Sequence, residues 1–337
     1  MQEVSALFTF SSSFDAAFGL PLSDVEGTDN FPEKLGFVNE HCAQRLFVKQ
    51  YYKLFRWIMP SERKLRRCTR ELREVADAIL LRRLKEPEEK ISARSDLLSL
   101  FIRKARELAS EGTKDQSVEV TSLLGPDTLR SIILTFIFGG RDTIATCLTY
   151  SFYEIARNPQ VQQRIVEELD SMKAGAKPNT ASITFDEVSK MKYIDAVVHE
   201  ALRLYPPAPF NVKNAVDDDY LPDGTFVPAG VDIVYSAWFM GRNNAMWGDD
   251  PLKFRPERWL AMEKRPSAYE FPVFQAGPRI CPGMNLAILE AKFFLATTLD
   301  RFHVAIAPGK KKDRGYVLKM ALFMDGGLPL QMTPRAQ

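Results

Sequence analysis

The sequence predicts a mainly α-helical fold with a small antiparallel β portion, built as one domain over residues 1–337. Three observations carry this expectation. Apolar residues recur at three- and four-residue spacing over most of the chain. One helical pattern starts at Gly125-Pro126-Asp127 and continues to Asn158, a rod that rises ~1.5 Å per residue. Short strand-like segments flank Pro222-Asp223-Gly224 and Pro228-Ala229-Gly230, the turn chemistry of a small antiparallel sheet. With 45% hydrophobic and 26% charged residues, the chain has the apolar material for a large core, which excludes disorder, collagen-like repeats and a small disulfide scaffold.

The elements follow in order. Val4, Leu7, Phe8, Phe14, Ala17 and Phe18 mark a first helix with one buried face. A basic helical pattern runs from about Val38 to Leu84 and ends in a solvated charged linker, Lys85 to Lys90. A helix from about Ser95 to Ala109 precedes a polar loop, Ser110 to Val118. The long helix opens at Gly125-Pro126-Asp127, where proline and an acid suit a helix amino terminus. Its stretch Ile132 to Phe138 is apolar on all sides and should cross the core. Helices Val161 to Met172 and Phe185 to Leu204 are separated by a loop, Ala174 to Thr180, and the second is stopped by Pro206-Pro207. A last helix, Pro282 to Phe302, leads into strand-like Val304 to Ala307 and Tyr316 to Phe323.

The 45 Lys+Arg against 43 Asp+Glu leave a net charge of +2, without the broad basic field that nucleic-acid binding needs, so no nucleic-acid partner is expected. Cys42, Cys68, Cys147 and Cys281 lie far apart, and the only histidines are His41, His199 and His303. That pattern argues against a His/Cys zinc site and a disulfide framework, and fits a reducing compartment. The opening MQEVSALFTF carries Glu3 where a signal peptide would be basic. No stretch reaches the roughly 18 to 20 uninterrupted apolar residues of a membrane span.

The chemistry centres on Phe274-Gln-Ala-Gly277-Pro-Arg279-Ile-Cys281-Pro282-Gly283. Its five fixed positions would occur by chance in roughly one of several million ten-residue windows. The segment resembles the FxxGxRxCxG haem-binding loop of the cytochrome P-450 superfamily. Physically, Cys281 precedes Pro282 at a first helical position, so its sulfur should sit at a helix amino terminus. There the dipole favours an anion by about 0.3 to 1 kcal/mol, and metal coordination deprotonates a thiol outright. Gly277 and Gly283 permit turns and close approach to a flat ring, and Arg279 can pair with a propionate.

Three further motifs fall in the superfamily's order. Gly139-Gly140-Arg141-Asp142-Thr143 places two helix-weakening glycines, at about 1 kcal/mol each against Ala, in mid-helix. Thr143 can bond the carbonyl four residues back and help to open the helix into a groove. By resemblance, Asp142 and Thr143 are the catalytic acid and alcohol that deliver protons to dioxygen. Glu200-Ala-Leu-Arg203 puts acid and base on one helix face; it resembles the superfamily's ExxR motif, and the resemblance implies that Arg258 is the third member of a structural triad. His199, Cys147 and Lys213 read as packed or solvated residues, and His41 and His303 have no partner in the sequence.

The segment Asp217 to Gly230, with Tyr235-Ser236, Met240-Gly241-Arg242 and Trp247-Gly248, resembles the branch containing fatty-acid ω-hydroxylases. The resemblance implies a haem-dependent monooxygenase with haem b axially ligated by Cys281, so the metal ligand is that cysteine. It also implies O2 and a NADPH-dependent reductase as partners, and an apolar substrate of the fatty-acid class met by residues such as Ile137, Phe138 and Ile144. The complete protein would sit on the endoplasmic reticulum membrane at its cytoplasmic face. Superfamily members carry a long segment before the helix at which this chain opens, so the amino-terminal portion is expected to be missing, with its anchor, first strands, propionate-binding helix and pocket-capping loop. A non-catalytic or decayed haem-binding protein fits the same ligand loop. A haem-thiolate isomerase or dehydratase would need no Asp142-Thr143 pair.

Overall fold

A computed structural model describes residues 1–25, 30–47, 57–110, 125–174 and 183–335. The chain is mainly helical with short antiparallel strand pairs, as its spacing predicts. It divides into two compact units, Ala6–Asp142 and Thr143–Gln337 with Met1–Ser5, and the second boundary falls inside one long helix.

The first unit holds most of α1 (Gln2–Phe18), then α2 (Phe31–Phe47), α3 (Pro60–Leu84), α4 (Glu88–Ala93), α5 (Leu97–Ser110) and the first half of α6 (Pro126–Arg157). Phe10, Phe14 and Phe18 recur every fourth residue and pack along α1, tilted and edge-on, at 6.0 and 4.8 Å between ring centroids. Their cluster takes in Phe31, Leu35, Leu72, Ile79, Ile102, Ile133 and Ile137. Of the basic stretch predicted as one helical region from Val38 to Leu84, α2 covers the part to Phe47 and α3 opens at Pro60 after non-helical residues 57–59, with residues 48–56 outside the described ones.

The charged run after Leu84 is exposed as expected of a solvated linker, except that Glu86 is half-buried and Glu88 to Lys90 are helical. Arg83 is fully buried and donates to Asp96 Oδ2 at 2.8 Å, to Ser99 and to the Phe18 carbonyl. Arg94 grips Glu86 with two contacts, at 2.9 and 3.1 Å. Glu88 opens α4, whose Ile91 is buried. Partnered charges therefore anchor the two ends of a run whose own residues, apart from half-buried Glu86, stay in water. Asp96 accepts the Ser99 amide at 3.0 Å and caps α5. The loops expected after Ser110 and after Ala174 lie outside the described residues.

The second unit contains α7 (Pro159–Ala174), α8 (Phe185–Lys190), α9 (Lys192–Leu204), α10 (Ala237–Met240), α11 (Asn244–Trp247), α12 (Glu257–Ala261) and α13 (Met284–Arg301). The helix predicted over Phe185 to Leu204 is two. A Thr184/Glu187 capping box starts α8, and extended Met191 ends it. The freed amides of Lys192, Tyr193 and Ile194 then all donate to the Glu168 carboxylate of α7, at 2.7 to 3.0 Å. Helix α13 packs on α7, α8 and α9.

Among the described residues four two-stranded antiparallel ladders complete this unit: β1 (Asn211–Asn214) with β4 (Asp232–Tyr235), β2 (Asp219–Tyr220) with β3 (Phe226–Val227), β5 (Phe302–Ile306) with β8 (Leu330–Pro334), and β6 (Tyr316–Leu318) with β7 (Leu322–Met324). The single strand expected over Tyr316 to Phe323 is thus the hairpin β6–β7, because it turns at residues 319–321.

By length and composition α6 could cross a membrane. Its Ile133 and Ile137 belong to the first unit's core, and its Leu148, Phe152 and Ile155 are fully buried, which makes its apolarity that of a core helix.

Candidate active site

The Cys281 loop is built from two short 3-10 turns, Pro272–Phe274 and Gly277–Arg279, joined by backbone that ordinary residues avoid. Gln275 has φ 63° and Gly277 φ 64°. A Cβ on Gly277 would also stand 3.3 Å from the Tyr269 hydroxyl, so glycine is favoured there twice over. The Cys281 amide donates to the Phe274 carbonyl at 2.7 Å and closes the loop.

Helix α13 begins at Met284 with Gly283 as its cap, two residues later than the Pro282 start expected from the sequence. The sulfur still lies beside the helix amino terminus, because a Cβ on Gly283 would be 3.9 Å from Cys281 Sγ. Gly283 itself has φ −89°, so its backbone does not require glycine, and what it leaves open is room next to the sulfur. Cys281 is half-buried and in no disulfide. Arg279 is exposed, with no ion pair among the described residues.

Glu200, Arg203 and Arg258 meet as the sequence predicts, and all three are buried. Arg203 holds both carboxylate oxygens of Glu200, and Arg258 Nε donates to Oε1 at 2.9 Å. The indole of Trp259 and the amide of Arg255 saturate the acid further, at 2.9 and 2.8 Å. The spare guanidinium donors reach the carbonyls of Gly241, Trp247, Pro251 and Lys253. This charge cluster is fully hydrogen-bonded, the condition under which a buried one persists, and it ties α9 to the segment 241–258.

In α6, Asp142 is buried and accepts from Asn39 Nδ2 at 2.7 Å, with Arg141 Nη1 3.3 Å from its other oxygen. Thr143 is half-buried. The expected opening of the helix at Gly139-Gly140 is not observed, since α6 runs unbroken through both. Gly140 instead admits α1: a Cβ there would stand 2.8 Å from Ser13. Gly139 faces open space. Ile137 and Phe138 pack in the first unit's core cluster, so they are core where pocket lining was conceivable.

Cys147 is a buried core residue whose thiol burial pushes up to about 12. Lys213 is exposed on β1, and His199 is packed, its Nδ1 2.8 Å from the Asp195 carbonyl. His41, partnerless in the sequence, meets Glu62 at 2.8 Å. Sequence reasoning missed Asn39 and Gln275, neither of which carries a motif signal, and Trp259, which its place beside Arg258 could have flagged.

The model of the cytochrome P450 family matches residues 1–327, and so takes in every motif described above. The chain belongs to the cytochrome P450 family. Among its relatives, Cytochrome P450 94A1 of Vicia sativa is 31% identical over 99% of this chain and 63% of its own length. Cytochrome P450 86B1 of Arabidopsis thaliana is 33% identical over 100% of this chain and 61% of its own. Cytochrome P450 94C1, also of Arabidopsis thaliana, is 36% identical over 75% of this chain and 52% of its own. The chain thus spans less than two thirds of the length of each of these relatives.

Cytochrome P450 family members are monooxygenases that bind haem through a cysteine thiolate. The donor chemistry fits that cofactor. Among the described residues no group of three or more His, Cys, Asp or Glu could hold a metal ion. Cys281 instead offers one sulfur, with an uncommitted arginine in the same loop and glycine beside the thiol.

Proposed function

We propose that this cytochrome P450 chain carries the haem-binding part of a monooxygenase that places one oxygen atom of O2 on an unactivated C–H bond of a long-chain fatty acid. The observation that carries the reading is the half-buried Cys281 thiol at the start of α13, on a loop whose backbone is set by Gln275 and Gly277. When bound, haem supplies the oxygen chemistry.

The chain's residues bind and orient. Cys281 would hold the haem iron through its sulfur beside the helix amino terminus. Arg279 pairs with a propionate. Phe274, Gly277 and Gly283 shape the loop against the flat ring. Asp142, kept in place by Asn39 and Arg141, and the Thr143 hydroxyl relay protons. Glu200, Arg203 and Arg258 keep rigid the segment through which α9 meets α12.

The fatty-acid class rests on the likeness of residues 217–248 to the ω-hydroxylase branch. A NADPH-dependent reductase as electron donor and residence of the complete protein on the endoplasmic reticulum membrane belong to the same proposal. Incubation with haem, reductase, NADPH, a saturated long-chain fatty acid and isotopically labelled O2 tests it. One labelled oxygen in a hydroxylated product supports the reading, and haem-loaded protein that consumes NADPH without such a product contradicts it.

A further inference from the structure

Gln275 stands in the cysteine loop at φ 63° and ψ −179°, a combination almost confined to glycine. A glutamine there needs surroundings that hold it, and two side chains do so. Its Oε1 accepts a hydrogen bond from the Tyr235 hydroxyl, and its Nε2 donates to Asn211 Oδ1. Asn211 and Tyr235 are direct partners in the β1–β4 ladder, so one rung of a sheet grips both ends of one amide.

The grip reaches the sulfur through the backbone. The peptide plane between Phe274 and Gln275 turns with the φ angle of Gln275. In the observed conformation it aims the Phe274 carbonyl at the Cys281 amide, 2.7 Å away. With a negative φ at Gln275 that carbonyl would turn away, and the bond that closes the loop on Cys281 would be lost.

We propose that Gln275 is a positioning residue for Cys281, clamped by Asn211 and Tyr235 so that the strained loop presents the thiol in one place. The inference rests on the haem-thiolate reading above for its consequence, and on geometry alone for the clamp. Gln275→Glu keeps an acceptor for Tyr235 and lets the Asn211 amide turn to donate, so it should retain the clamp.

The test has two readouts. In haem-free protein, hydrogen exchange at the Cys281 amide should rise at least tenfold in the Asn211→Ala/Tyr235→Phe double variant and in Gln275→Ala, with exchange in α9 unchanged. Gln275→Glu should stay within about twofold of the parent chain. In haem-loaded protein reduced under carbon monoxide, the fraction with the red-shifted thiolate Soret band should fall at least twofold in the clamp variants and recover in Gln275→Glu. Cys281 exchange that stays at the parent rate in the double variant overturns the clamp. Faster exchange with an unchanged thiolate fraction overturns its role in presenting sulfur. A parent chain that binds haem without a thiolate band overturns the haem reading, and exchange then decides the clamp by itself.

Discussion

Arg203 and Glu200 face each other across one turn of α9 through two parallel hydrogen bonds, Nε to Oε2 at 2.8 Å and Nη2 to Oε1 at 2.7 Å, with neither side chain exposed. Removing either partner strands the other charge in the interior, which costs roughly 3 to 5 kcal/mol. Arg203→Ala should therefore lower the unfolding free energy by about that amount in denaturant titration. A loss well under 1 kcal/mol would be that of a surface pair and would exclude a structural role for the triad.

Gly241 lies under the same cluster. A Cβ there would stand 2.2 Å from the Arg203 carbonyl oxygen, a backbone atom that cannot swing aside. Gly241→Ala should destabilise by about 1 to 3 kcal/mol or more, as overpacking does. An unchanged melting temperature would contradict the close approach.

Asn39 Nδ2 donates to Asp142 at 2.7 Å across buried surface. Asn39→Ala removes a hydrogen bond to a charged group, and thermal unfolding should report a loss of about 1.5 to 3 kcal/mol. Asn39→Asp should be worse, since it sets a second carboxylate against the first.

His199 gives a pH dependence of known sign. Burial holds its imidazole below the usual range and outweighs the nearby Asp195, which raises it, while Arg265 adds to the lowering. The unfolded chain therefore binds a proton that the folded chain resists, and stability rises with pH. The contribution is complete above the unfolded value of about 6.5 and is lost as pH falls through the lower folded value. Relative to His199→Gln, the parent chain should lose unfolding free energy between pH 7 and pH 5, measured by denaturation at a series of pH values. A parallel pair of profiles would show that the imidazole is not held neutral.

The fold class, the long helix and the Glu200/Arg203/Arg258 triad were legible because each rests on spacing: three and four residues along a helix, or a fixed motif. The helix break at Met191 was not, because it depends on a partner far away in sequence. Glu168, which satisfies the amides of α9, lies 24 to 26 residues before them. Glu86, read as part of a solvated linker, is instead held by Arg94, and the neighbouring Arg83 is buried against Asp96 and Ser99. Gly139 and Gly140 signalled something close to the helix, but only the fold tells that Ser13 is what approaches Gly140. Gln275 occupies a variable position of its motif, and its left-handed backbone and its grip by Asn211 and Tyr235 leave no mark in the sequence.

The central claim is that Cys281 is the thiolate ligand of haem. The most direct measurement is the absorption spectrum of the haem-loaded chain, reduced under carbon monoxide, with Cys281→Ala beside it. The red-shifted Soret band of a thiolate-ligated haem carbonyl should appear in the parent chain and vanish in Cys281→Ala, with the helical circular dichroism of the two alike. A thiolate band that persists in Cys281→Ala, or a parent chain that binds haem and never shows one, would contradict the claim.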